Sequence, residues 1–524
     1  MRPFFAYYHG EFSEAQRAAG RALPKRDGLA RKETFQNHDA PPAGGARPAG
    51  LLPRLGLFTA IMIVMGNLIG SGVFKKAAPM AEEVQSPGLL LACWIIAGIM
   101  SLLGALANAE VAGMIADSGG QYSYFKRMYG RAFAFLYGWT GFVVIQCASI
   151  GSIAYVFGQS ANSLLAFPRL DPSWEALSVF GVFYPFDNLG VKLFTILTVW
   201  LITMANYAGV IFGGLIANAS SALKIMGIVL LAVLGLAWSG GSYGNLAPVL
   251  ANPAAHYATP LGLFGAMFAA MLGAFWAYDG WVNLAFLGAE IRRPHRNIPL
   301  ALGIGVAASM TLYLLVNIAF LHVMSVDEMR GLAGGENGIV GVEVMRKAYG
   351  NGAAGFVAVL ILLSTFGATN CSLMQPSRMY FAMARDGLFF KSAATCHPKH
   401  HTPSTALIIQ AAWTSVLLMS GTFDQLTDMV VFAGFLFYGA GAFGVFVLRR
   451  TMKDAPRPYR VTGYPVLPAI FVLFCLMLVV VTVIERPRDA GLGMALILAG
   501  FPFYFYWRKR LPAPEGSEPS STQE

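Results

Sequence analysis

Residues 61–74 read Ile61-Met62-Ile63-Val64-Met65-Gly66-Asn67-Leu68-Ile69-Gly70-Ser71-Gly72-Val73-Phe74. Three glycines and two small polar residues interrupt what the flanking residues make a membrane crossing. Unwound backbone at membrane depth survives only where it is buried in protein or lines a cavity, because each unpaired amide or carbonyl there costs on the order of several kcal/mol. The stretch therefore predicts a broken helix around a polar pocket. If the helix restarts after Ile69, the amides near Ser71, Gly72 and Val73 form a positive end suited to a carboxylate. The carbonyls of the preceding half would face an ammonium group, so one break offers both ends that a zwitterion needs. The same residues also fit a packing seam of small side chains.

A second interruption separates these readings. Phe275-Trp276-Ala277-Tyr278-Asp279-Gly280-Trp281 breaks another apolar crossing, here with a carboxylate at mid-depth. Asp279 is costly there unless solvated, paired or protonated. The two breaks fall in the first and the sixth crossing, corresponding positions if crossings 1–5 and 6–10 are repeats, and such a pair points to a transporter binding site. The halves share no alignable identity, so the repeat rests on symmetry of position.

Composition sets these breaks in a membrane protein. The chain of 524 residues is 56% hydrophobic and 12% charged, with a mean hydropathy of +0.57, more apolar surface than a soluble core hides. The apolar residues fall into blocks of about 18–25 residues, the length of a bilayer-spanning helix. They lie near 55–80, 88–111, 131–161, 188–208, 210–236, 261–290, 299–325, 352–385, 404–421, 423–449, 463–484 and 488–507. The expected fold class is all-α integral membrane with about twelve transmembrane helices. The predicted organisation is a basic cytoplasmic tail at 1–50, a transporter core at 51–450, helices 11 and 12 at 451–511, and a cytoplasmic tail at 512–524.

The net charge of +10 does not point to nucleic acid, because Lys and Arg are not clustered with aromatics on a soluble module. They occupy alternate loops: Arg127 and Arg131, the run Arg292-Arg293-Pro294-His295-Arg296, then Arg385, Lys391 and Lys399, Arg449 to Arg460, and Arg508-Lys509-Arg510. By the positive-inside rule that side, shared with both termini, is cytoplasmic, in a plasma membrane. Four of the five cysteines lie in crossings and one, Cys396, in a loop, so no disulfide framework is indicated. No Ser/His/Asp order, no His/Cys metal spacing and no phosphate-binding Gly-Lys loop is present, which argues against an enzyme and against any cofactor or metal.

At these residues the sequence resembles the amino acid–polyamine–organocation permeases, within them the L-type amino acid transporter-like branch, over about residues 55–450. The motifs are Gly66 to Phe74, Ala105-Leu106-Ala107-Asn108-Ala109-Glu110 with Ser118-Gly119-Gly120-Gln121-Tyr122, Phe275 to Trp281 leading to Glu290 and Pro294 to Ala301, and Ser364-Thr365-Phe366-Gly367 with Ser377-Arg378 and Ala384-Arg385-Asp386-Gly387. The resemblance implies a five-plus-five inverted repeat, the leucine-transporter-type fold, with helices 1 and 6 broken, two extra C-terminal helices and alternating access. It places the substrate carboxylate on the backbone of Gly70, Ser71 and Gly72 and the amine on carbonyls of the two broken helices. The expected binding set is Asn67, Leu68, Ile69, Gly70, Ser71, Gly72, Trp276, Ala277 and Asp279. Trp276 stands where relatives close an aromatic over the substrate; the alternative is an aromatic packed in the bundle.

Lys224 stands alone in an apolar crossing and must face the interior. Relatives place a lysine here where sodium-coupled cousins bind an ion, which implies sodium independence and a conformational role bridging helix 5 to the helix 1 turn; a titrating proton carrier is the alternative. Glu110 and Arg378, with Arg385 and Glu290, lie near cytoplasmic ends of crossings, where ion pairs would latch an inward gate or be solvated helix ends. Lys75 and Lys76 depart from the apolar or small residues familiar in the family and are expected to snorkel outward. His322, at a helix end, reads as an interfacial residue. The loop at 162–187 has no cysteine where the animal L-type members it resembles carry one for a disulfide to a heavy chain, so the resemblance implies no disulfide-linked heavy chain; the chain would be a monomer or homodimer in the lipid bilayer.

The leading expectation is a sodium-independent permease for neutral L-amino acids, an exchanger or a proton symporter. Asp279 keeps open a cationic amino acid or polyamine as cargo. A non-transporting amino acid sensor is the third reading, disfavoured by tails without an evident folded module. Side-chain preference depends on helices 3, 8 and 10, where Tyr155 and Tyr438 are candidates.

Overall fold

Apolar stretches in a bilayer must satisfy their backbone internally, and this chain does so with helices. The computed structural model describes residues 55–510 apart from 116–118, 179–182, 209, 248–256, 258, 334–337, 399–401 and 421–422. The tails expected at 1–50 and 512–524, and Ser118 of the second motif, lie outside the described residues. Eleven described helices are long and apolar enough to cross a membrane. Seven precede the segment 324–350: Leu57–Lys75, Pro87–Met114, Arg131–Leu165, Leu189–Tyr207, Ser220–Ala237 (the apolar part of a helix that begins at Val210), Gly262–Gly288 and Pro294–Val323. The eighth is Asn351–Arg385, and Leu426–Thr451, Val466–Glu485 and Pro487–Arg508 complete the set. Between them Ser404–Ser420 is apolar and shorter, 17 residues, at the lower limit of about 17 for a crossing; it stands at the expected ninth position. Spans are numbered below in this order, first to twelfth.

Local sequence explains where these helices begin. Ser86 takes the Leu89 amide onto its hydroxyl with Pro87 at the first helical position, so the second span opens with both a cap and a residue that needs no amide partner. The seventh opens at Pro294 after Arg293 in the left-handed region at φ 47°. A widened π turn at Gly141–Ile145 interrupts the third span just before Gln146, Ser149 and Ile153, and such turns recur at functional sites.

The seventh span packs on the second, first and fifth, while the eighth packs on the third and fifth. Missing side chains set these close approaches: a Cβ at Gly305 would lie 2.6 Å from a Val64 methyl, and one at Gly98 would lie 2.6 Å from Met310. Such contacts suit helices held by van der Waals packing, since lipid supplies little hydrophobic force between them.

Two sets of ties mark the two ends of the bundle. At one, Leu55 and Ile291 form an isolated parallel bridge, with the Leu55 amide on the Glu290 carbonyl at 2.9 Å and the Arg292 amide on the Leu55 carbonyl at 2.8 Å. This pins the start of the first span to the end of the sixth. At the other end Lys75 Nζ donates to Gln159 Oε1 at 2.7 Å and Lys76 Nζ to Thr427 Oγ1 at 2.9 Å. Arg486 there joins Glu83 at 2.9 Å and Asp428. The expectation that Lys75 and Lys76 snorkel outward is corrected: they are 9% and 3% exposed, because polar acceptors on the third and tenth spans meet their ammonium groups inside the bundle. His322, in the last turn of the seventh span, is buried, its ring against Tyr243 and its Nε2 3.3 Å from the Trp238 carbonyl.

Candidate substrate pocket at two helix breaks

The first span is helical from Leu57 to Leu68, turns at Ile69 to Ser71 and restarts at Gly72. The sixth is helical from Gly262 to Ala277, turns through Tyr278 to Gly280, and continues as tighter 3₁₀ turns from Trp281. Glycine is required at both breaks because each presses on the other. A Cβ on Gly72 would lie 2.7 Å from the Cα of Ala277, and one on Gly280 would lie 3.2 Å from the Cβ of Asn67. Gly280 also holds φ at 106°, a conformation that other residues adopt only under strain.

A helix that stops inside the bundle exposes its last carbonyls, and here most find donors. Met65 O accepts the Ile69 amide at 2.8 Å, and Leu68 O accepts both the Gly70 amide at 2.8 Å and the Tyr313 hydroxyl at 2.7 Å. Gly66 O accepts the Lys224 ammonium at 2.9 Å. Lys224 is 2% exposed, so its positive charge lies against the negative end of the Leu57–Leu68 half-helix, where it is favoured. The Tyr313 hydroxyl reaches the Ala277 carbonyl as well, at 3.0 Å. One tyrosine on the seventh span thus touches both breaks.

Between the breaks lies a cavity of about 20 Å³, large enough for a water molecule. Of the expected binding set, Asn67, Leu68, Gly70, Ser71, Gly72, Trp276 and Asp279 line it; Ile69 and Ala277 are in the breaks but not in its wall. Ser149 and Ile153 of the third span, Gly280, Asn283 and Ser372 complete the lining. The Ser71 hydroxyl is buried there with no hydrogen-bond partner among the described residues, a polar group that costs free energy unless a ligand or water meets it. The Asn67 amide is already engaged by Gln375, with bonds of 3.1 and 3.3 Å in the two directions. Asn67 therefore anchors the break to the eighth span.

Asp279 is the one charged side chain in the lining. Its Oδ1 accepts from the Tyr438 hydroxyl at 2.6 Å, so Tyr438 stands behind the carboxylate on the tenth span. Tyr155 is buried but does not line the cavity. The gate candidates separate into two knots. Arg378 Nε donates to Glu290 Oε1 at 2.9 Å, while Glu110, 2% exposed, takes both Nε and Nη2 of Arg449 at 2.9 and 2.7 Å and the Val461 amide at 2.8 Å. Glu110 and Arg378 are thus not partners of each other, and Glu110 is no solvated helix end. Arg385 is exposed; its neighbour Asp386 takes Lys126 Nζ at 2.6 Å and the Tyr122 hydroxyl at 2.7 Å.

Tyr313, Gln375, Ser149, Ile153, Asn283, Ser372 and Arg449 escaped the sequence reading. Breaks announce themselves by glycine in an apolar run, whereas no local pattern marks which side of its element each of these residues presents to the cavity.

Comparison with known proteins agrees with this architecture. The Amino acid permease family model matches residues 55–504. The serine/threonine exchanger SteT of Bacillus subtilis is 30% identical over 463 residues, covering 88% of this chain and 98% of the exchanger. Large neutral amino acids transporter small subunit 2 of Mus musculus is 31% identical over 492 residues, 92% of this chain and 87% of the transporter. The human cystine/glutamate transporter is 27% identical over 484 residues, 90% of each chain. With two interrupted crossings meeting at a polar cavity and a family match along nearly the whole described bundle, this chain belongs to the amino acid permease family, in its L-type amino acid transporter-like branch.

Proposed function

We propose that the chain is a sodium-independent transporter of neutral L-amino acids that works by exchange, with alternating access to the cavity between the two breaks. The observation that carries this reading is the buried Ser71 hydroxyl at the start of the restarted first span, without a hydrogen-bond partner among the described residues and facing a cavity lined by small and polar residues together with Leu68, Ile153 and Trp276. A carboxylate suits the Gly70-Ser71-Gly72 backbone and an ammonium suits the carbonyl end of the inner half-helix. Trp276, in the cavity wall, is positioned to cover the bound side chain. Sodium independence draws on Lys224, whose ammonium sits on the Gly66 carbonyl. Exchange, rather than proton symport, is favoured by the serine/threonine exchanger among the relatives.

The basic loops lie at the end that carries the Glu110 and Arg378 knots, which supports a cytoplasmic placement for that end in a cell membrane. The loop at 162–187 lacks a cysteine, in keeping with a chain that works without a covalently attached partner.

Zwitterion recognition is tested by a melting-temperature panel on the purified protein. Neutral L-amino acids should raise it, and the matching amines and carboxylic acids should not. Equal stabilisation by an amine alone would overturn the reading. Asp279 favours a second reading, a cationic amino acid or polyamine as cargo, since its carboxylate is the one charge in the cavity wall. Asp279→Asn would then abolish transport of cationic substrates and spare neutral ones; loss of both would reject that reading.

A further inference from the structure

Outside the substrate cavity a cleft of about 460 Å³ opens on the bundle surface between the second span, the seventh span and the segment after the tenth. Its floor is a stripe of the seventh span, Arg296, Leu300, Gly303 and Ile304, spaced so that they fall on one helix face. Leu300 and Ile304 are 39% and 47% exposed, an apolar surface at membrane depth that lipid must cover. Gly303 is a notch in that face, with nothing nearer to a Cβ there than Leu106 at 3.6 Å. Tyr459, from the segment after the tenth span, forms the far wall.

Charge at the mouth of the cleft is of one sign. His295 and Arg296 line it, and Arg292 and Arg293 precede them, all four exposed. None of the three arginines has an acidic partner within ion-pair distance among the described residues. A basic mouth above an apolar groove matches a ligand with an anionic head and a hydrocarbon tail. From Arg296 to Ile304 the helix rises about 12 Å, enough to cover the upper part of an acyl chain.

We propose that this cleft seats one anionic phospholipid, its phosphate on Arg296 and His295 and one acyl chain along Leu300, Gly303 and Ile304. The site touches the inner gate through its far wall. Tyr459 lies between Arg457, whose Nε is 3.6 Å from Glu110, and Val461, whose amide donates to Glu110. A seated lipid joins that segment to the seventh span and so braces the contacts that Arg449, Arg457 and Val461 make to Glu110.

The test is the melting temperature of the full chain in detergent, titrated with phosphatidylglycerol, phosphatidylcholine or inorganic phosphate, with native mass spectrometry counting retained lipid. Phosphatidylglycerol should raise the melting temperature in proportion to the logarithm of its concentration once the site fills, and one molecule should stay bound per chain. Arg296→Gln and Gly303→Leu should each remove the part specific to phosphatidylglycerol, while Lys391→Gln, an exposed basic control on another loop, should keep it. An equal shift with phosphatidylcholine, a shift reproduced by phosphate alone, or an undiminished shift in both cleft variants would overturn the proposal. Should the variants fail to fold, wild-type protein that retains no anionic lipid in the mass spectrum would overturn it as well.

Discussion

The hydroxyl of Tyr313 lies 2.7 Å from the carbonyl oxygen of Leu68, the last helical residue before the first break, and 3.0 Å from that of Ala277 at the second break. A single O–H shared between two carbonyls joins the breaks to each other and to the seventh span. Trp94 and Tyr278 hold the ring edge-on and tilted at 5.6 and 5.0 Å between centroids. Tyr313→Phe keeps that packing and removes only the donor. A buried acceptor left unpaired costs about 1–3 kcal/mol, so exchange should fall by roughly tenfold to a hundredfold with expression retained. Transport rate and melting temperature measured on the same preparation separate a loosened pocket from a failure to fold.

Lys224 gives a sharper test of ion coupling. Lys224→Met leaves the Gly66 carbonyl without its buried donor, and transport should drop by at least about tenfold. Replacing sodium by choline should leave wild-type exchange unchanged. A wild-type rate that follows sodium would refute the placement of Lys224 as the charge that stands in for an ion.

Backbone contact between the breaks predicts a contrast among glycines. Gly72→Ala puts a Cβ 2.7 Å from the Ala277 backbone, which no side-chain rotation relieves, and should abolish transport. Gly352→Ala, at a position with open space around it, should be neutral or slightly stabilising because alanine favours helix. Parallel uptake assays decide this.

At the proposed inner gate, Arg378 and Glu290 are 7% and 15% exposed at their side chains. Breaking a buried pair by removing one partner costs about 3–5 kcal/mol, because the other charge is left uncompensated. Arg378→Gln and Glu290→Gln should each lower the melting temperature clearly, and the double variant should lose less than the sum of the two. Additive losses would show that the residues act independently.

Much of this is legible in the sequence. The two breaks stood out because glycine and charge in an apolar crossing violate the rules of the bilayer, and most of the residues named there line one cavity. The seventh helix begins at Pro294, five residues before the expected 299, because polar residues at its start hide the helix from an apolar count. What escaped were partners that only three-dimensional packing assigns. Lys75 and Lys76 carry no sign in the sequence that Gln159 and Thr427 await them, and Glu110 gives no hint of Arg449, 339 positions away. Tyr313 is one aromatic among leucines. Its role depends on the angle at which the seventh span crosses both broken helices, which no periodicity encodes.

The most direct test of the central claim is counterflow in proteoliposomes containing the purified chain alone, using a radiolabelled neutral amino acid outside and either buffer or unlabelled amino acid inside, with sodium absent throughout. Uptake that requires internal amino acid and needs no sodium is the predicted result. Uptake that appears only with a sodium gradient, or proceeds equally into empty vesicles, would contradict a sodium-independent exchanger.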